Sequence, residues 1–479
     1  MIELLNFAID KALSLGSEYA EARLHTITGE GMNLKNGQIE PGISIDSRGI
    51  GLRIIKKGAL AFGSTNLLKK ESISSIIEEL SKQAESSLNT IKEKVELSDF
   101  KAEKANWSCE EKEKLEDVGV DRMVTLLKDL DSNIIEGAKG FPYQSRILSV
   151  SKSVEEKEYL NSEGSYIRSR VPRVGFTSYL SGVYDGESFT VTIPPGYSKL
   201  GWSGGWERIE RGPIFELTKE KAYQLTKILA SKVKMDSESV DVILGPLISG
   251  LAAHESVGHP QEADRILGRE AAQAGESYLN PEDLGKRVGS EQATVIDDPT
   301  LEGSSGYYLY DDEGVKAKKR VLMDKGIVRE FLHNRATSKK FGTLSNAASR
   351  ANSFNREPIV RMANTYVEKG DHSLDELIKG VRKGILMESF MEWNIDDKRY
   401  NQRYVGLECY KIEGGELKEP LKHVVLEITT PKFWSSIDAK GKKLEFVTGM
   451  CGKGDPLQGI PVWTGGPHLR LRGVRVWQR

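Results

Sequence analysis

The chain has 479 residues, long enough to bury a sizeable hydrophobic core and to form two or three domains. Its 68 basic and 70 acidic residues give a net charge of −2, and this balance argues against a nucleic-acid-binding protein or one that binds anionic membranes. Three cysteines in so long a chain argue against a disulfide framework, so we expect a reducing compartment.

Two segments bear on the location of the protein. The N-terminal segment carries acidic residues and lacks the basic and apolar regions of a signal peptide. The most apolar stretch, 242–253, is interrupted by Gly245, Pro246 and Gly250 and is shorter than the roughly twenty residues of a membrane span. We therefore expect a cytoplasmic protein with no membrane partner and no nucleic-acid partner.

The first predicted element is an amphipathic helix. Apolar residues from Ile2 to Leu13 follow helical spacing, and Gly16 marks the expected end of the helix. Strands joined by tight turns are predicted next, because glycine supplies the positive φ that a two-residue hairpin turn needs. The turns with apolar-rich flanks are Asn36-Gly37, Lys57-Gly58 and Asp185-Gly186.

The middle of the chain changes in character three times. Residues 68–130 are rich in Lys and Glu with helical periodicity, which predicts solvated helices. Residues 147–193 return to strand-forming composition. Residues 193–212 contain glycines and prolines around Trp202 and Trp206, which predicts a loop, either a linker or a lid over a substrate cleft.

A helix predicted over Ile214–Val233 begins a second large region. Apolar strands alternate with glycine-containing turns from there to the C-terminus. The pattern predicts an α+β fold of two domains with antiparallel-rich sheets and flanking helices. We place an N-terminal α+β domain at 1–215 and a C-terminal domain, which carries the metal site described next, at 216–479.

A candidate metal motif lies in this second region. His254, Glu255 and His259 form the pattern HExxxH. Five residues separate two side chains by about 140° around a regular helix, which is too far for both imidazoles to bind one metal. Gly258 and Pro260 flank the second histidine, so we expect a break or bulge that swings His259 back. Pro260 also favours an extended backbone at His259. Glu255, beside the first histidine, suits a general base rather than a ligand.

A catalytic zinc usually has three protein ligands and an open position, so a third ligand must lie elsewhere. From the residues alone, the candidates are Glu262, Asp264, another histidine or a thiolate. Cys451 is the favoured thiolate, because flanking glycines suggest an accessible loop and Lys453 would stabilise its charge. Cys109 and Cys409 are interpreted as structural.

Several motifs together resemble the TldD branch of the TldD/PmbA family of zinc metallopeptidases. They are HESVGH at 254–259, YDDEGV at 310–315, RMANT at 361–365 and TGMCGKGD at 448–455, and the resemblance extends over nearly the whole chain. It implies that His254, His259 and Cys451 bind Zn²⁺ and that Glu255 activates water. The sister branch lacks HExxxH, so the motif places this chain on the catalytic side. The resemblance also implies a homodimer, or a heterodimer with a sister subunit.

The predicted function is a zinc-dependent metallopeptidase that hydrolyses unfolded peptides or small proteins, with metal-activated water and Glu255 as general base. One alternative is a zinc hydrolase of non-peptide amides, which the same ligands and base would serve. Another is a non-catalytic regulatory protein whose structural zinc is closed by a fourth ligand such as Glu262.

Other polar groups outside the metal motif are interpreted mainly as structural. The acidic run Asp311, Asp312 and Glu313 is interpreted as a solvated turn rather than a cation site. The arginines Arg350, Arg356 and Arg361 are interpreted as forming surface or structural salt bridges, with a role in holding a substrate carboxylate or a tetrahedral oxyanion as the alternative. His333 and His468 lack partners at ligand spacing and are interpreted as structural.

Overall fold

The computed structural model describes residues 1–195, 199–270 and 275–479. In this part of the chain the helices are α1 (Ile2–Ser14), α2 (Lys70–Ser87), α3 (Val120–Ala138), α4 (Glu207–Glu210), α5 (Ile214–Leu229), α6 (Pro246–Ala253), α7 (Ala263–Ile266), α8 (Arg335–Lys340), α9 (Leu374–Lys379) and α10 (Thr430–Ser435).

The strands of the first half are β1 (Tyr19–Lys35), β2 (Gln38–Lys56), β3 (Ala59–Thr65), β4 (Lys104–Ser108), β5 (Ser145–Asn161), β6 (Tyr166–Tyr184), β7 (Glu187–Ile193), β8 (Leu200–Ser203) and β9 (Glu238–Leu244). Those of the second half are β10 (Val295–Asp297), β11 (Arg320–Asp324), β12 (Ile327–Val328), β13 (Ser349–Arg350), β14 (Ile359–Val360), β15 (Asn364–Val367), β16 (Lys383–Met387), β17 (Phe390–Ile395), β18 (Asn401–Gly406), β19 (Cys409–Glu413), β20 (Glu416–Leu421), β21 (Val424–Thr429), β22 (Ile437–Lys440), β23 (Glu445–Lys453), β24 (Gln458–Gly466) and β25 (Leu469–Gln478).

The N-terminal half forms one long, mostly antiparallel sheet. Its strand order is β3-β2-β1-β5-β6-β4, and β7 and β8 also pair with β6. The turn between β1 and β2 has positive φ at Asn36 (49°) and Gly37 (82°), as the Asn-Gly sequence predicts. Helices α1 and α2 pack on one part of the sheet, and α3 and α5 cover another. The predicted first helix and hairpin turns are confirmed.

Two predictions for this half were wrong in part. The Lys- and Glu-rich region contains α2 and α3 but also β4, which pairs in parallel with β6. This strand is too short for its alternation to stand out in so charged a segment. The predicted loop contains β8 and α4, and Trp206 is fully buried among apolar residues. Residues 196–198 of that loop lie outside the described residues.

The C-terminal half contains two further sheets that sandwich an apolar core. One has the order β12-β11-β10-β15-β24-β23, and the other β17-β18-β21-β25-β9-β16-β19-β20, with β22 paired to β25. Most pairs are antiparallel, while β15–β24 and β9–β16 are parallel. Helix α6 follows β9 and packs against β15, β23 and β24. The predicted mixed fold with antiparallel-rich sheets and flanking helices is confirmed.

No helix in the described ranges has the length and apolarity that a membrane crossing requires.

Candidate metal centre

The HExxxH motif forms a widened helical turn at the end of α6. His254–Gly258 is a single π-helical turn in which the N–H of His259 donates to the carbonyl of His254, and His259–Gln261 continues as a 3₁₀ turn. An i to i+5 turn brings residues five apart onto one side of the helix. The two imidazole centroids lie 4.9 Å apart at 79°. The predicted bulge before the second histidine is confirmed.

Gly258 is required by the packing of this turn. A Cβ atom built there would lie 2.0 Å from the sulfur of Met362, so no other residue fits without movement. His259 has φ −59° and ψ −44°, so the predicted extended backbone was wrong. The i+5 hydrogen bond holds His259 in the helical region, and Pro260 is the second residue of the 3₁₀ turn, within the first turn, where its lack of an N–H costs little.

Cys451 reaches the two histidines from strand β23. Ligand atoms of His254, His259 and Cys451 lie within 4.8 Å of one another, and His259 Nε2 is 3.5 Å from Cys451 Sγ. Cys451 pairs with Ile460 of β24 and is 5% exposed, so the expectation of an accessible loop was wrong. Glycines on both sides of a cysteine are also compatible with a strand that packs closely.

Electrostatics favour the charged form of this thiol. Burial alone would raise the pKa of Cys451, but the nearby His259, Arg361 and His254 lower it well below its usual value. Lys453 does not act on the thiol as expected, because its Nζ donates to Asp264 (2.7 Å) and to the carbonyl of Val360 (2.7 Å). Burial opposes the charged form of His254, yet the negative groups around it, Cys451 first among them, raise its pKa.

Glu262 supports the centre from behind rather than joining it. Its Oε2 lies 2.8 Å from Nδ1 of His259 and accepts from Nε of Arg265 at 2.7 Å. Burial would raise the pKa of Glu262, but Lys453, His259 and Arg265 lower it well below its usual value, so the carboxylate is a fixed anion. A carboxylate on the far nitrogen of a histidine sets its tautomer and points Nε2 at the metal position.

Glu255 faces the same cleft as the three candidate ligands. Its carboxylate Oε2 accepts a hydrogen bond of 2.6 Å from Nη1 of Arg399. The cleft has a volume of about 350 Å³. Its lining residues are Leu247, Leu251, His254, Glu255, His259, Phe390, Trp393, Arg399, Gly449, Met450, Cys451, Gly452, Val462 and Thr464. Sequence reasoning missed Arg399, because nothing in its local sequence pairs it with a residue 144 positions away.

The donor set fits a zinc ion. Two imidazoles and a thiolate are ligands that zinc prefers, and Nδ1 of His254 is buried without a hydrogen-bond partner among the described residues. The described part of the chain contributes three ligands to this cluster, and Glu262 is already engaged. Three ligands beside an open cleft match a catalytic site better than a closed structural one.

The remaining predicted clusters lie outside this cleft. Asp311, Asp312 and Glu313 are buried, at most 5% exposed, so the expectation of a solvated turn was wrong. Asp312 pairs with Lys157 of the N-terminal sheet at 2.9 Å, which local sequence could not reveal. Arg361 donates to the carbonyls of Cys451 and Gln458 and so braces the β23–β24 hairpin. These partners are carbonyls rather than carboxylates, so the predicted salt bridge at Arg361 was wrong. His333 and His468 hydrogen-bond to Thr337 and Glu388.

Comparison with protein families gives matches over most of the chain. The model described as the PmbA/TldA metallopeptidase C-terminal domain matches residues 237–478. Those for domain 1 and the central domain of the same metallopeptidases match residues 20–84 and 113–230. His254, Glu255, His259 and Cys451 all lie within residues 237–478, the range matched by the C-terminal domain model.

Individual proteins agree with these matches. A metalloprotease of Methanocaldococcus jannaschii is 31% identical over 466 residues, which cover 96% of this chain and 97% of that protein. A zinc metalloprotease TldD homolog of Saccharolobus solfataricus is 31% identical over 236 residues, 49% of this chain and 51% of that protein. The crystal structure of TldE from Thermococcus kodakarensis has the same fold, with a TM-score of 0.77, 17% identity and coverage of 99% and 100%.

Proposed function

Because the chain belongs to the family of PmbA/TldA metallopeptidases, we propose that it is a zinc-dependent peptidase that hydrolyses unfolded peptides and small proteins with Glu255 as general base. The observation that carries this proposal is the meeting of His254, His259 and Cys451 in the cleft that also contains Glu255. The relative named as a zinc metalloprotease supports zinc as the metal.

His254, His259 and Cys451 would hold the ion, while Glu262 orients His259 from behind. A bound Zn²⁺ would polarise a peptide carbonyl and make a water acidic enough to ionise near neutral pH. Glu255 lines the same cleft as the three candidate ligands, and its carboxylate is held there by Arg399. It can take a proton from the attacking water and return it to the leaving amine.

The position of β23 supports an extended substrate. This strand is at the edge of its sheet, and it lines the cleft through Gly449 to Gly452. Thr448 exchanges two backbone hydrogen bonds of 2.9 Å with Lys199 along the outer edge. Because strand residues alternate, Met450 turns its backbone to the same edge as Thr448. An extended peptide could add there as a further strand, which a folded domain cannot do.

The substrate class is tested with one protein in two forms. The zinc-loaded enzyme is incubated with the native protein and with the same protein reduced and unfolded, and the products are identified by mass spectrometry. We expect cleavage of the unfolded form and little of the native form. Peptides with single proline replacements near the cleaved bond should be resistant, because proline removes an N–H that strand pairing uses. Equal rates on both forms would contradict the proposal, and hydrolysis of simple amides without peptide cleavage would favour the non-peptide hydrolase.

A further inference from the structure

Arg399 lines the metal cleft and is held there by a constrained turn. It lies between β17 and β18 with φ +63°, in the left-handed region that non-glycine residues rarely adopt. Its N–H donates to the carbonyl of Asp396 (2.9 Å), and its own carbonyl accepts from Oγ1 of Thr430 (2.7 Å). The Asp396 side chain accepts from the N–H groups of Tyr400 and Asn401. The backbone thus fixes the origin of the Arg399 side chain.

The guanidinium of Arg399 has one anionic partner among the described residues, and that partner is Glu255. The two side chains are each 10% exposed, and the hydrogen bond between them measures 2.6 Å. A short, charge-assisted hydrogen bond between two largely buried groups restrains the Glu255 carboxylate in one position.

The Arg399–Glu255 pair bears on whether Glu255 could itself bind a metal in the cleft. Without a restraint, a carboxylate one residue from His254 and in the same cleft as His259 and Cys451 could turn toward a metal held by those three residues. As a fourth ligand it would close the open position that a catalytic site needs. The hydrogen bond from the guanidinium of Arg399, which lines the same cleft, holds the carboxylate where it can accept a proton.

We infer that Arg399 is a positioning residue for Glu255, which keeps this carboxylate beside the metal ligands as a base and prevents it from becoming a ligand. The inference rests on the proposed function, because it assigns Arg399 a role in the same reaction. It predicts that loss of Arg399 lowers turnover while leaving the ligands, and hence metal binding, intact.

The test compares full-length wild type with Arg399→Ala, Arg399→Lys and Arg403→Ala. Arg403 lies in β18 of the same hairpin but outside the cleft, and its side chain is 32% exposed, so it is the matched control. For each protein, kcat and KM on an unfolded peptide, zinc per chain, zinc affinity and the melting temperature are measured. The peptide assay of the wild type also reports separately on the proposed function.

We expect Arg399→Ala to lower kcat by about 100-fold, the scale of a general-base contribution, with KM within about threefold of wild type. Zinc affinity should be equal to or higher than that of wild type, because a released Glu255 can add a ligand. Arg399→Lys should recover part of kcat, and Arg403→Ala should behave as wild type. An active wild type together with an equally active, zinc-loaded Arg399→Ala would overturn the inference without touching the proposed function.

A second measurement covers the case in which Arg399→Ala does not fold. Melting temperatures of the metal-free wild type, Arg399→Met, Glu255→Gln and the double variant form a cycle that needs no activity, and methionine keeps the length of the side chain without its donors. We expect the double variant to melt no lower than the less stable single variant, because the two changes remove the same interaction. Fully additive losses would show that the two side chains are not coupled and would overturn the inference.

Discussion

His259 uses its two ring nitrogens for different purposes. Nε2 lies 3.5 Å from the sulfur of Cys451, while Nδ1 lies 2.8 Å from a carboxylate oxygen of Glu262. The second contact fixes the proton on Nδ1 and leaves the lone pair of Nε2 for a metal. The Glu262 carboxylate therefore sets the tautomer of His259, and hence which nitrogen can bind a metal, without being a ligand itself.

Two substitutions separate a ligand from its support. Cys451→Ala should remove stoichiometric zinc, because two imidazoles alone make a weak site. Glu262→Gln should keep the metal but lower zinc affinity by about 10- to 100-fold, the usual effect of losing an orienting carboxylate. Both are measured by competition with a chromophoric chelator. If Cys451→Ala retained wild-type affinity and Glu262→Gln lost the metal, the roles of the two residues would be exchanged.

His333 makes a separate, pH-dependent contribution to stability. Burial lowers its pKa to about 4 from an ordinary value of 6.5. Because the unfolded chain binds the proton more tightly, this contribution is complete above about pH 6.5 and is lost as the pH falls toward 4. The loss amounts to about 3 kcal/mol. Urea unfolding at pH 7 and pH 4.5 should show a larger decrease for wild type than for His333→Gln, and parallel decreases would argue against the assignment.

At the scale of single elements, the widened turn after α6 is the feature that makes HExxxH usable. Gly258 lies so close to the sulfur of Met362 that a Cβ would overlap it at 2.0 Å. The turn, the histidine spacing and the packing of β14–β15 around Met362 thus depend on one another.

Gly258→Ala should disturb this turn. We expect a loss of stability of about 1–3 kcal/mol from overpacking and a zinc affinity at least tenfold weaker, because the His259 ring must move. Gly119→Ala is the control, since a Cβ at that position would meet nothing within 4 Å. Denaturant unfolding and zinc titration measure the two effects. A Gly258→Ala variant with wild-type zinc affinity would contradict the dependence of the site on the turn.

The elements also show how far sequence reasoning extends. The Gly-Pro pair around His259 predicts the bulge because its physics is local, and the Asn-Gly and Lys-Gly turns are predicted for the same reason. The strand setting of Cys451 and the partner of Glu255 could not be predicted, because they depend on contacts between residues that are 90 to 192 positions apart in the chain. These contacts join Arg361 to Cys451, Arg399 to Glu255, and His259 to Cys451. No local periodicity carries that information.

At the scale of the whole molecule, buried charges join the N-terminal sheet to the C-terminal half. Arg53 of β2 pairs with Glu21 of β1 and with Glu313, whose side chain is fully buried, at 2.9 and 2.7 Å. The acidic run at 311–313 resembles a solvated turn in the sequence because its basic partners lie more than 150 residues away. The match between the two halves is therefore electrostatic as well as apolar.

Arg53→Met should destabilise the protein by about 3–5 kcal/mol, because two buried carboxylates lose their cation. Arg168→Met is the control: Arg168 is 53% exposed and pairs with Glu158 at 3.5 Å, so its loss should cost less than about 1 kcal/mol. Denaturant unfolding of the three proteins measures the difference. Equal effects of the two substitutions would show that the charged contact between the halves is not a stabilising one.

The central claim is that the His-His-Cys centre with Glu255 makes this chain a zinc peptidase. The most direct measurement follows cleavage of an unfolded protein by wild type and by Glu255→Gln, each with its zinc content determined, and by wild type after chelation and after zinc is restored. We predict about one zinc per chain in both proteins, cleavage by wild type that stops on chelation and returns with zinc, and a rate at least about 100-fold lower for Glu255→Gln. Wild-type cleavage by zinc-loaded Glu255→Gln, or cleavage by the metal-free protein, would contradict the account.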